Sequence, residues 1–470
     1  MSATVTVVGG GLAGCECALQ LAARGVAVRL YEQRPFGDAP AHRTDGLAEL
    51  VCSNSLKATR EDSAAGLLKI ELRKMGSYLL EAAETCAVPA GGALAVNRDD
   101  FSRRVGELVA SQPLIELIRE EVREIPDGFS VICAGPLCSS ALADAISQRV
   151  GGAHLSFFDA AAPIVDAESL DRTKVFAQSR YQEAEAGDYL NCPFDKPSYE
   201  AFWHELVAAR RVITKDFEQR ELFQACQPVE EVARKGIDTL RYGALKPVGL
   251  IDPQTGHRPW AAVQLRAENA EATAYNLVGF QTNLAWGEQA RVFRMIPGLE
   301  QAEFFRYGVM HRNSFVDAPR TLDASFAIPG SHTRLAGQIT GTEGYVEAIA
   351  SGLLAALNTY ADLHNLDGVC LPRTGAFGAL VAYATNPDTQ PYQPMHVNFG
   401  LVPPLEGPRL RKRERFAAFS KRAQRDLDAY LSMRPDLFAG RVSVESTVRG
   451  GMRPGDRDEG CVSQAEAQHA

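Results

Sequence analysis

The first 32 residues contain the pattern that most restricts the fold of this chain. Thr4-Val5-Thr6-Val7-Val8 is a β-branched run typical of a buried parallel strand, and the motif Gly9-x-Gly11-x-x-Gly14 follows it at once. A helix from about Ala13 to Arg24 and a second strand from Val26 to Tyr31 complete a β-α-β unit. The unit predicts an α/β domain that binds a dinucleotide.

Each glycine of the motif is needed for a physical reason. Gly9 permits a tight turn, Gly11 lets the backbone approach a pyrophosphate, and Gly14 allows the helix to pack closely on the strand. With Gly10, Leu12 and Ala13, these residues place the positive N-terminus of a helix at the phosphates. Glu32 ends the second strand and is predicted to accept hydrogen bonds from the adenosine ribose. A turn without ligand and an NAD site are the alternatives.

Two later segments favour FAD over NAD. The strand Phe129 to Cys133 runs into Ala134-Gly135-Pro136, which resembles the second nucleotide contact of flavoproteins with two dinucleotide-binding domains. The turn Gly341-Thr342-Glu343-Gly344-Tyr345 resembles the turn with which those proteins close over the flavin, at a helix N-terminus. Glu343 has two interpretations: a hydrogen-bond partner of flavin or folate, or an acid that stabilises its own helix. We expect Ala134, Gly135, Gly341, Glu343, Gly344 and Tyr345 to bind FAD.

The length of 470 residues allows more than one domain. We predict a Rossmann-like FAD-binding domain of the two-dinucleotide-binding flavoprotein type, formed by residues 1–150 and 305–440. An inserted α/β domain spans 151–304 on the substrate side, and 441–470 form a C-terminal tail. The composition, 46% apolar and 23% charged, is typical of a soluble globular protein. Without a long apolar run or a basic leader, we expect no membrane span and a cytoplasmic location.

The ten cysteines form no Cys-x-x-Cys pair and have no histidine cluster at zinc-site spacing, so no metal site is expected. Because the net charge is −9, a nucleic-acid partner would have to bind at a locally basic surface. One such segment runs from 409 to 425, where apolar residues at helical spacing predict that one face docks on the core. Its cations are Arg409, Arg411, Lys412, Arg413, Arg415, Lys421, Arg422 and Arg425.

Several longer strings go beyond a generic flavoprotein. They are His42 to Asp45 with Ala48 to Leu56, Val88 to Val96 with Arg98, Asn191 to Phe194, Phe223 to Glu230, Arg241 to Gly243 with Lys246 to Leu250, Tyr275 to Thr282, Arg306 to Asn313, and Gly341 to Gly352. Together they resemble the TrmFO family, the folate- and FAD-dependent tRNA (uracil-5-)methyltransferases, over roughly residues 3 to 435. The strings around Cys52 and Cys226 separate the chain from the paralogous MnmG/GidA family of wobble-uridine modification flavoproteins.

The resemblance implies a reaction. The methylene group of 5,10-methylenetetrahydrofolate passes to C5 of a T-loop uridine in tRNA, with reducing equivalents from NADH or NADPH through FAD, and the product is 5-methyluridine. It implies tRNA and folate as partners and no protein partner. His311 resembles the residue that stacks on the folate pterin, and the basic segment would contact tRNA. Ala285 and Ala290 stand where related sequences commonly carry lysine, which weakens that stretch as an RNA contact.

The chemistry of this reaction gives two thiols a role. Uracil C5 is a poor nucleophile until a group adds at C6, and a thiolate both adds and leaves readily. Our hypothesis is that Cys226 adds to C6 while Cys52 guards the reactive methylene or transfers a proton; the exchanged assignment is the alternative. The other functions considered are MnmG/GidA-like wobble modification, a small-metabolite FAD oxidoreductase, and a methyltransferase that uses S-adenosylmethionine.

Overall fold

The computed structural model describes residues 4–37, 42–151, 155–160, 162–180, 187–212, 227–308, 310–390, 392–408 and 410–438. For 155–160 and 310–313 it describes the backbone alone. Cys226, Arg409 and the proposed tail 441–470 lie outside the described residues.

In this part of the chain the strands are β1 (Thr4–Val8), β2 (Ala27–Glu32), β3 (Ser55–Ala58), β4 (Ala87–Val88), β5 (Ala93–Val96), β6 (Ile115–Arg119), β7 (Ser130–Ile132), β8 (Leu155–Ala160), β9 (Ile164–Asp166), β10 (Phe176–Ala177), β11 (Tyr189–Phe194), β12 (Ala261–Ala267), β13 (Ala274–Leu277), β14 (Phe304–Arg306), β15 (Met310–Phe315) and β16 (Thr333–Leu335).

The α-helices described are α1 (Leu12–Ala22), α2 (Ala64–Met75), α3 (Tyr78–Thr85), α4 (Arg98–Ala110), α5 (Ser140–Val150), α6 (Lys196–Ala208), α7 (Val229–Ala233), α8 (Thr239–Tyr242), α9 (Trp286–Phe293), α10 (Ala318–Thr321), α11 (Tyr345–Leu363), α12 (Ala376–Ala384), α13 (Lys412–Met433) and α14 (Pro435–Phe438).

A five-stranded parallel sheet lies at the centre of the first core, in the order β16-β7-β1-β2-β6. Val5 and Val7 of β1 are fully buried. Burial of this kind suits the central strand of a parallel sheet, which is covered on both faces. The β-α-β unit predicted from the first residues is confirmed, with β1 paired along its whole length to β2.

The helix after the glycine turn packs deep in this core. Every residue of α1 is buried, and α11 crosses directly against it. Two glycines make the approach possible: a Cβ on Gly14 would overlap the carbonyl oxygen of Gly9, and a Cβ on Gly352 would overlap that of Ala13. The predicted role of Gly14 in close packing is therefore confirmed.

A second core is built on a six-stranded antiparallel sheet in the order β10-β11-β12-β13-β9-β14. All seven residues of β12 are buried, and helices α6, α7 and α9 contribute Phe202, Val229 and Phe293 to the same apolar cluster. The β8–β15 pair joins the two cores, and in its register His311 stands opposite Asp159. The parallel sheet therefore carries the glycine turn. The strands of the antiparallel sheet come between β8 and β15 in the chain, as an insertion.

Candidate active site

The glycine turn opens onto a cleft with an empty volume of about 1200 Å³, part of it open to solvent. Gly9 has φ +106°, and its amide donates to the carbonyl oxygen of Tyr31 at 2.7 Å. A Cβ placed on Gly11 would meet no atom within 4 Å, although Gly11 lines the cleft. Open space beside this backbone leaves room for a pyrophosphate at the N-terminus of α1.

Glu32 is buried at the end of β2 and lines the same cleft. Its carboxylate accepts the amide of Gly10 at 3.0 Å and Nε of Arg34 at 2.9 Å. Burial would raise the pKa of Glu32, but the hydrogen bonds and charge of Arg34 outweigh it, so the pKa lies below its ordinary value. The site therefore holds an ionised acceptor beside the glycine turn.

The end of β7 forms the opposite wall. Ala134 and Gly135 line the cleft, and Gly135 has φ +67° with no atom within 4 Å of a Cβ built there. The amide of Cys133 donates to the carbonyl oxygen of Val8 at 2.7 Å, which fixes this segment against β1. The two segments singled out from the sequence thus face one cavity.

In the turn from Gly341 to Tyr345, which leads into α11, some residues line the cleft and others do not. Tyr345 lines it, together with Gly337, Gln338 and Ala348, whereas Gly341, Glu343 and Gly344 are not among its lining residues. Gly341 has φ +79° and lies against the Tyr392 hydroxyl, and Glu343 accepts a hydrogen bond from the Gln338 side chain. These three residues shape the turn that presents Tyr345.

Cys52 lies in a loop on the wall of the cleft and is half-buried. Its backbone amide donates to the hydroxyl oxygen of Tyr345 at 2.8 Å, and the amide of Ser53 donates to the same atom at 3.2 Å. Burial raises the pKa of Tyr345 well above its ordinary value. The phenol therefore stays protonated at neutral pH and holds the loop by two hydrogen bonds.

Arginines surround the loop of Cys52. Nη1 of Arg98 donates to the carbonyl oxygen of Leu50 at 2.7 Å, and Nε lies 2.6 Å from the Glu268 carboxylate. Burial, with Arg98 nearby, lowers the pKa of Arg306, and the Cys52 thiol is close enough to act on that guanidinium electrostatically. A negative charge that forms at Cys52 would be attracted by both cations.

The inserted sheet holds this loop from the other side. Nε of Arg266 donates to the Asn54 side-chain oxygen at 2.8 Å, and its Nη2 donates to the Ser53 hydroxyl at 2.8 Å. The Asn54 side-chain nitrogen donates to the carbonyl oxygen of Ala267 at 3.0 Å. Cys52 therefore stands where the two cores meet.

Cys226 is outside the described residues, but both flanks of residues 213–226 are anchored to one loop. The amide of Val212 donates to the carbonyl oxygen of Asn283 at 2.8 Å, and the amide of Val229 donates to that of Gln281 at 2.7 Å. The buried carboxylate of Glu230 accepts the Asn283 amide at 2.7 Å and the Thr282 hydroxyl at 2.9 Å. Burial raises the pKa of Glu230 to about 7.

The predicted basic segment forms the first half of α13, with Arg411 at its N-cap. Phe419, Ala423 and Leu427 are buried, which confirms the predicted apolar face. Lys412, Arg413 and Lys421 are exposed and Arg415 is half-buried. Arg422 instead donates to the carbonyl oxygens of Pro403 and Pro404, so its guanidinium supports the preceding loop.

Several residues that complete the site were not predicted from the sequence. They are Arg34, Arg98, Arg306, Gly337 and Gln338. Arg98 and Arg306 belong to strings already singled out, but their partners are distant in the chain. Gly337 lies two residues after the end of β16, and Gly9 directly follows β1, so a glycine soon after a strand is the signal that the sequence offers. The φ of +84° at Gly337 requires the left-handed region that glycine tolerates.

In the described ranges, no group of three or more His, Cys, Asp or Glu side chains is placed to hold a metal ion. No helix among those described is both long enough and apolar enough to cross a membrane.

Comparison with known proteins gives consistent results. The family model described as glucose inhibited division protein A matches residues 4–367. The methylenetetrahydrofolate--tRNA-(uracil-5-)-methyltransferase TrmFO of Geobacter sulfurreducens is 53% identical over 434 residues, which are 92% of this chain and 100% of that protein. The protein of the same name from Symbiobacterium thermophilum is 53% identical over 89% of this chain and 95% of its own length.

Among solved structures, GidA of Aquifex aeolicus superimposes with TM-scores of 0.64 and 0.65 in two crystal forms, at 16% identity. The matches cover 92% of this chain and 76% and 79% of the GidA chains. At this identity the likeness shows the fold, and it confirms the predicted α/β class with an inserted domain.

Proposed function

Because this chain belongs to the TrmFO family of methylenetetrahydrofolate-dependent tRNA (uracil-5-)-methyltransferases, we propose that it methylates C5 of a T-loop uridine in tRNA. The one-carbon donor is 5,10-methylenetetrahydrofolate, the bound cofactor is FAD, the reductant is NADH or NADPH, and the location is the cytoplasm. The observation that carries the proposal is the position of Cys52. Its loop forms part of the wall of the cleft onto which the glycine turn opens.

The residues of the cleft fit FAD. In the turn Gly9 to Gly14, the backbone at Gly11 borders open space at the N-terminus of α1 for the pyrophosphate, and Glu32 is an ionised acceptor for the ribose. Ala134 and Gly135 would hold the nucleotide, and Tyr345 at the start of α11 would contact the cofactor, since all three line the cleft. Gly341, Glu343 and Gly344, in the turn before α11, complete the proposed FAD contacts. Bound FAD supplies the hydride that turns the transferred one-carbon unit into a methyl group.

The two thiols perform separate steps in this proposal. Addition of the Cys226 sulfur to uracil C6 moves an electron pair towards C5, which then bonds to the one-carbon unit. The sulfur of Cys52, whose negative charge Arg98 and Arg306 would attract, accepts the C5 proton. The amine that carried the one-carbon unit then leaves, hydride adds to the exocyclic methylene, and loss of the Cys226 sulfur restores the C5–C6 double bond. Tyr345 and Arg98 hold the Cys52 loop in place during these steps.

The remaining predicted contacts complete the substrate sites. For the contact with the folate pterin we propose His311, whose backbone on β15 pairs with Asp159 on β8. The tRNA backbone contacts the cationic face of α13 through Arg411, Lys412, Arg413, Arg415 and Lys421, with Arg409 preceding the helix. Arg422 contributes by holding the loop at Pro403 and Pro404. We also propose that residues 1–150 and 305–440 form the FAD-binding domain and that residues 151–304 form the inserted domain.

A GidA-like wobble modification is the second candidate, favoured by the family model and by the fold. Sequence identity argues against it. The chain is 53% identical to the Geobacter sulfurreducens methyltransferase but 16% identical to the GidA chains.

Purified protein tests the proposal directly. The chain should bind FAD and should methylate unmodified tRNA only when methylenetetrahydrofolate and NADH or NADPH are both present. Methylation with S-adenosylmethionine alone, or a protein that does not bind FAD, would contradict it.

A further inference from the structure

Three aromatic rings form a continuous stack on the inserted domain. The rings of Trp286 and Tyr307 are 5.9 Å apart at 17° between planes, and those of Tyr307 and Phe304 are 5.0 Å apart at 20°. Arg294 lies over the Phe304 ring, 5.9 Å from its centroid. The stack ends in solvent, because Trp286 is 61% exposed.

Hydrogen bonds fix this stack before any ligand arrives. The side chain of Gln289, on the same helix as Trp286, donates to the carbonyl oxygen of Gly308 at 2.9 Å and accepts the Gly308 amide at 2.8 Å. The amide of Ala285 donates to the carbonyl oxygen of the exposed Arg210 at 3.0 Å. A ring held in this way loses little conformational entropy when another planar group stacks on it.

The stack is next in sequence to residues that contact the loop of Cys52 and the described residue Val212. Arg306, which precedes Tyr307, lies within electrostatic reach of Cys52. Asn283, three residues before Trp286, accepts the amide of Val212 at the start of the segment that leads to Cys226. A nucleotide next to the reacting uridine would therefore pass close to Trp286.

We propose that Trp286 is a positioning residue that stacks on an unpaired base of the tRNA T-arm, next to the uridine that enters the site. The inference rests on the proposed function. A uridine taken out of the loop leaves its neighbour without a stacking partner, and an exposed aromatic ring replaces that partner. One exposed ring matches one planar base, whereas a protein partner needs on the order of 800 Å² of surface.

The experiment measures the affinity of a T-arm hairpin RNA for the full chain and for Trp286→Ala, Trp286→Phe and Phe305→Ala. Phe305 is a matched control, because it is an exposed aromatic residue close to Tyr307 in sequence. We expect Trp286→Ala to raise the Kd about 5- to 150-fold, the range for loss of one base stack. Trp286→Phe should have a smaller effect, and Phe305→Ala should match the wild type. Because stacking releases no counterions, the salt dependence of the Kd should be unchanged.

Intrinsic fluorescence gives a second readout, since the chain has three tryptophans and Trp203 and Trp260 are half-buried. RNA should quench an emission component that Trp286→Ala lacks. Equal Kd values for Trp286→Ala and Phe305→Ala would overturn the inference and leave the proposed function standing. So would a Trp286→Ala variant that raises only the KM for methylenetetrahydrofolate. A wild-type chain that neither binds the hairpin nor methylates tRNA would contradict the proposed function itself.

Discussion

The hydroxyl oxygen of Tyr345 accepts the backbone amide of Cys52 at 2.8 Å, across 293 positions of sequence. The bond joins the first residue of α11 to the loop that carries a candidate catalytic thiol. Since Tyr345 also lines the cofactor cleft, one side chain couples the position of the thiol to the position of the cleft wall.

Tyr345→Phe should lower methylation without loss of FAD. The change leaves the Cys52 and Ser53 amides without their acceptor, at a cost of roughly 1–3 kcal/mol, and frees the loop. We expect kcat to fall at least about tenfold, in line with that energy, while FAD content stays near that of the wild type.

Tyr392→Phe is the control for this prediction. Its buried hydroxyl donates to the carbonyl oxygen of Thr340 at 2.6 Å, outside the cleft lining. It should reduce stability to a similar extent and leave kcat unchanged. Equal loss of kcat in both variants would show that Tyr345 acts through stability alone.

Gly11→Ala and Gly14→Ala should separate cofactor binding from folding. A methyl group on Gly11 enters open space, so the FAD-free chain should keep its thermal midpoint while FAD affinity falls. A methyl group on Gly14 overlaps the Gly9 carbonyl oxygen and should destabilise the FAD-free chain by at least ~1–3 kcal/mol. Differential scanning calorimetry with and without FAD measures both effects. A Gly11→Ala chain with normal FAD affinity would place the pyrophosphate elsewhere.

Cys52→Ala should abolish methylation and retain FAD, because the thiol acts on the substrate and does not support the fold. Cys138→Ala is the matched control. Cys138 lines the same cleft, and burial raises the pKa of its thiol to about 11, so it stays protonated at neutral pH. Its variant should remain active. The rate of methylation of unmodified tRNA distinguishes the two.

A T-arm RNA with 5-fluorouridine at the target position should become covalently attached through Cys226. Cys226→Ala should abolish the attachment, whereas Cys52→Ala should allow it. Peptide mapping identifies the residue, and an adduct on Cys52 would require the exchanged assignment of the two thiols.

Glu230 should make stability depend on pH. Its folded pKa of about 7 lies above the ordinary value of 4.5, because burial disfavours the carboxylate. The unfolded chain therefore loses this proton at a lower pH than the folded chain does. The stability that the neutral, buried carboxyl group contributes below about pH 4.5 is lost as the pH rises to about 7. Relative to Glu230→Gln, the wild type should lose on the order of 2–3 kcal/mol across this range in urea unfolding. A difference that does not vary with pH would mean that Glu230 keeps an ordinary pKa.

The sequence predicted those features that depend on neighbouring residues. The glycine turn, β1, α1, β2 and the apolar face of α13 follow from local spacing, and the structure confirms them. The contacts that build the site join distant segments: Arg98 meets Glu268 across 170 positions, and local periodicity carries no information about such a pair. Gly341 and Gly344 stay predicted FAD contacts, because a glycine required for the backbone conformation and one that borders a ligand look alike in sequence.

Isotope labelling follows the methylene group from folate to tRNA. tRNA is incubated with the wild-type chain, FAD, NADPH and 5,10-methylenetetrahydrofolate that carries two deuterium atoms on the methylene carbon, and the nucleosides are analysed by mass spectrometry. We expect 5-methyluridine that retains both deuterium atoms in its methyl group. Unlabelled 5-methyluridine formed under these conditions, or methyl transfer from S-adenosylmethionine instead, would contradict the account.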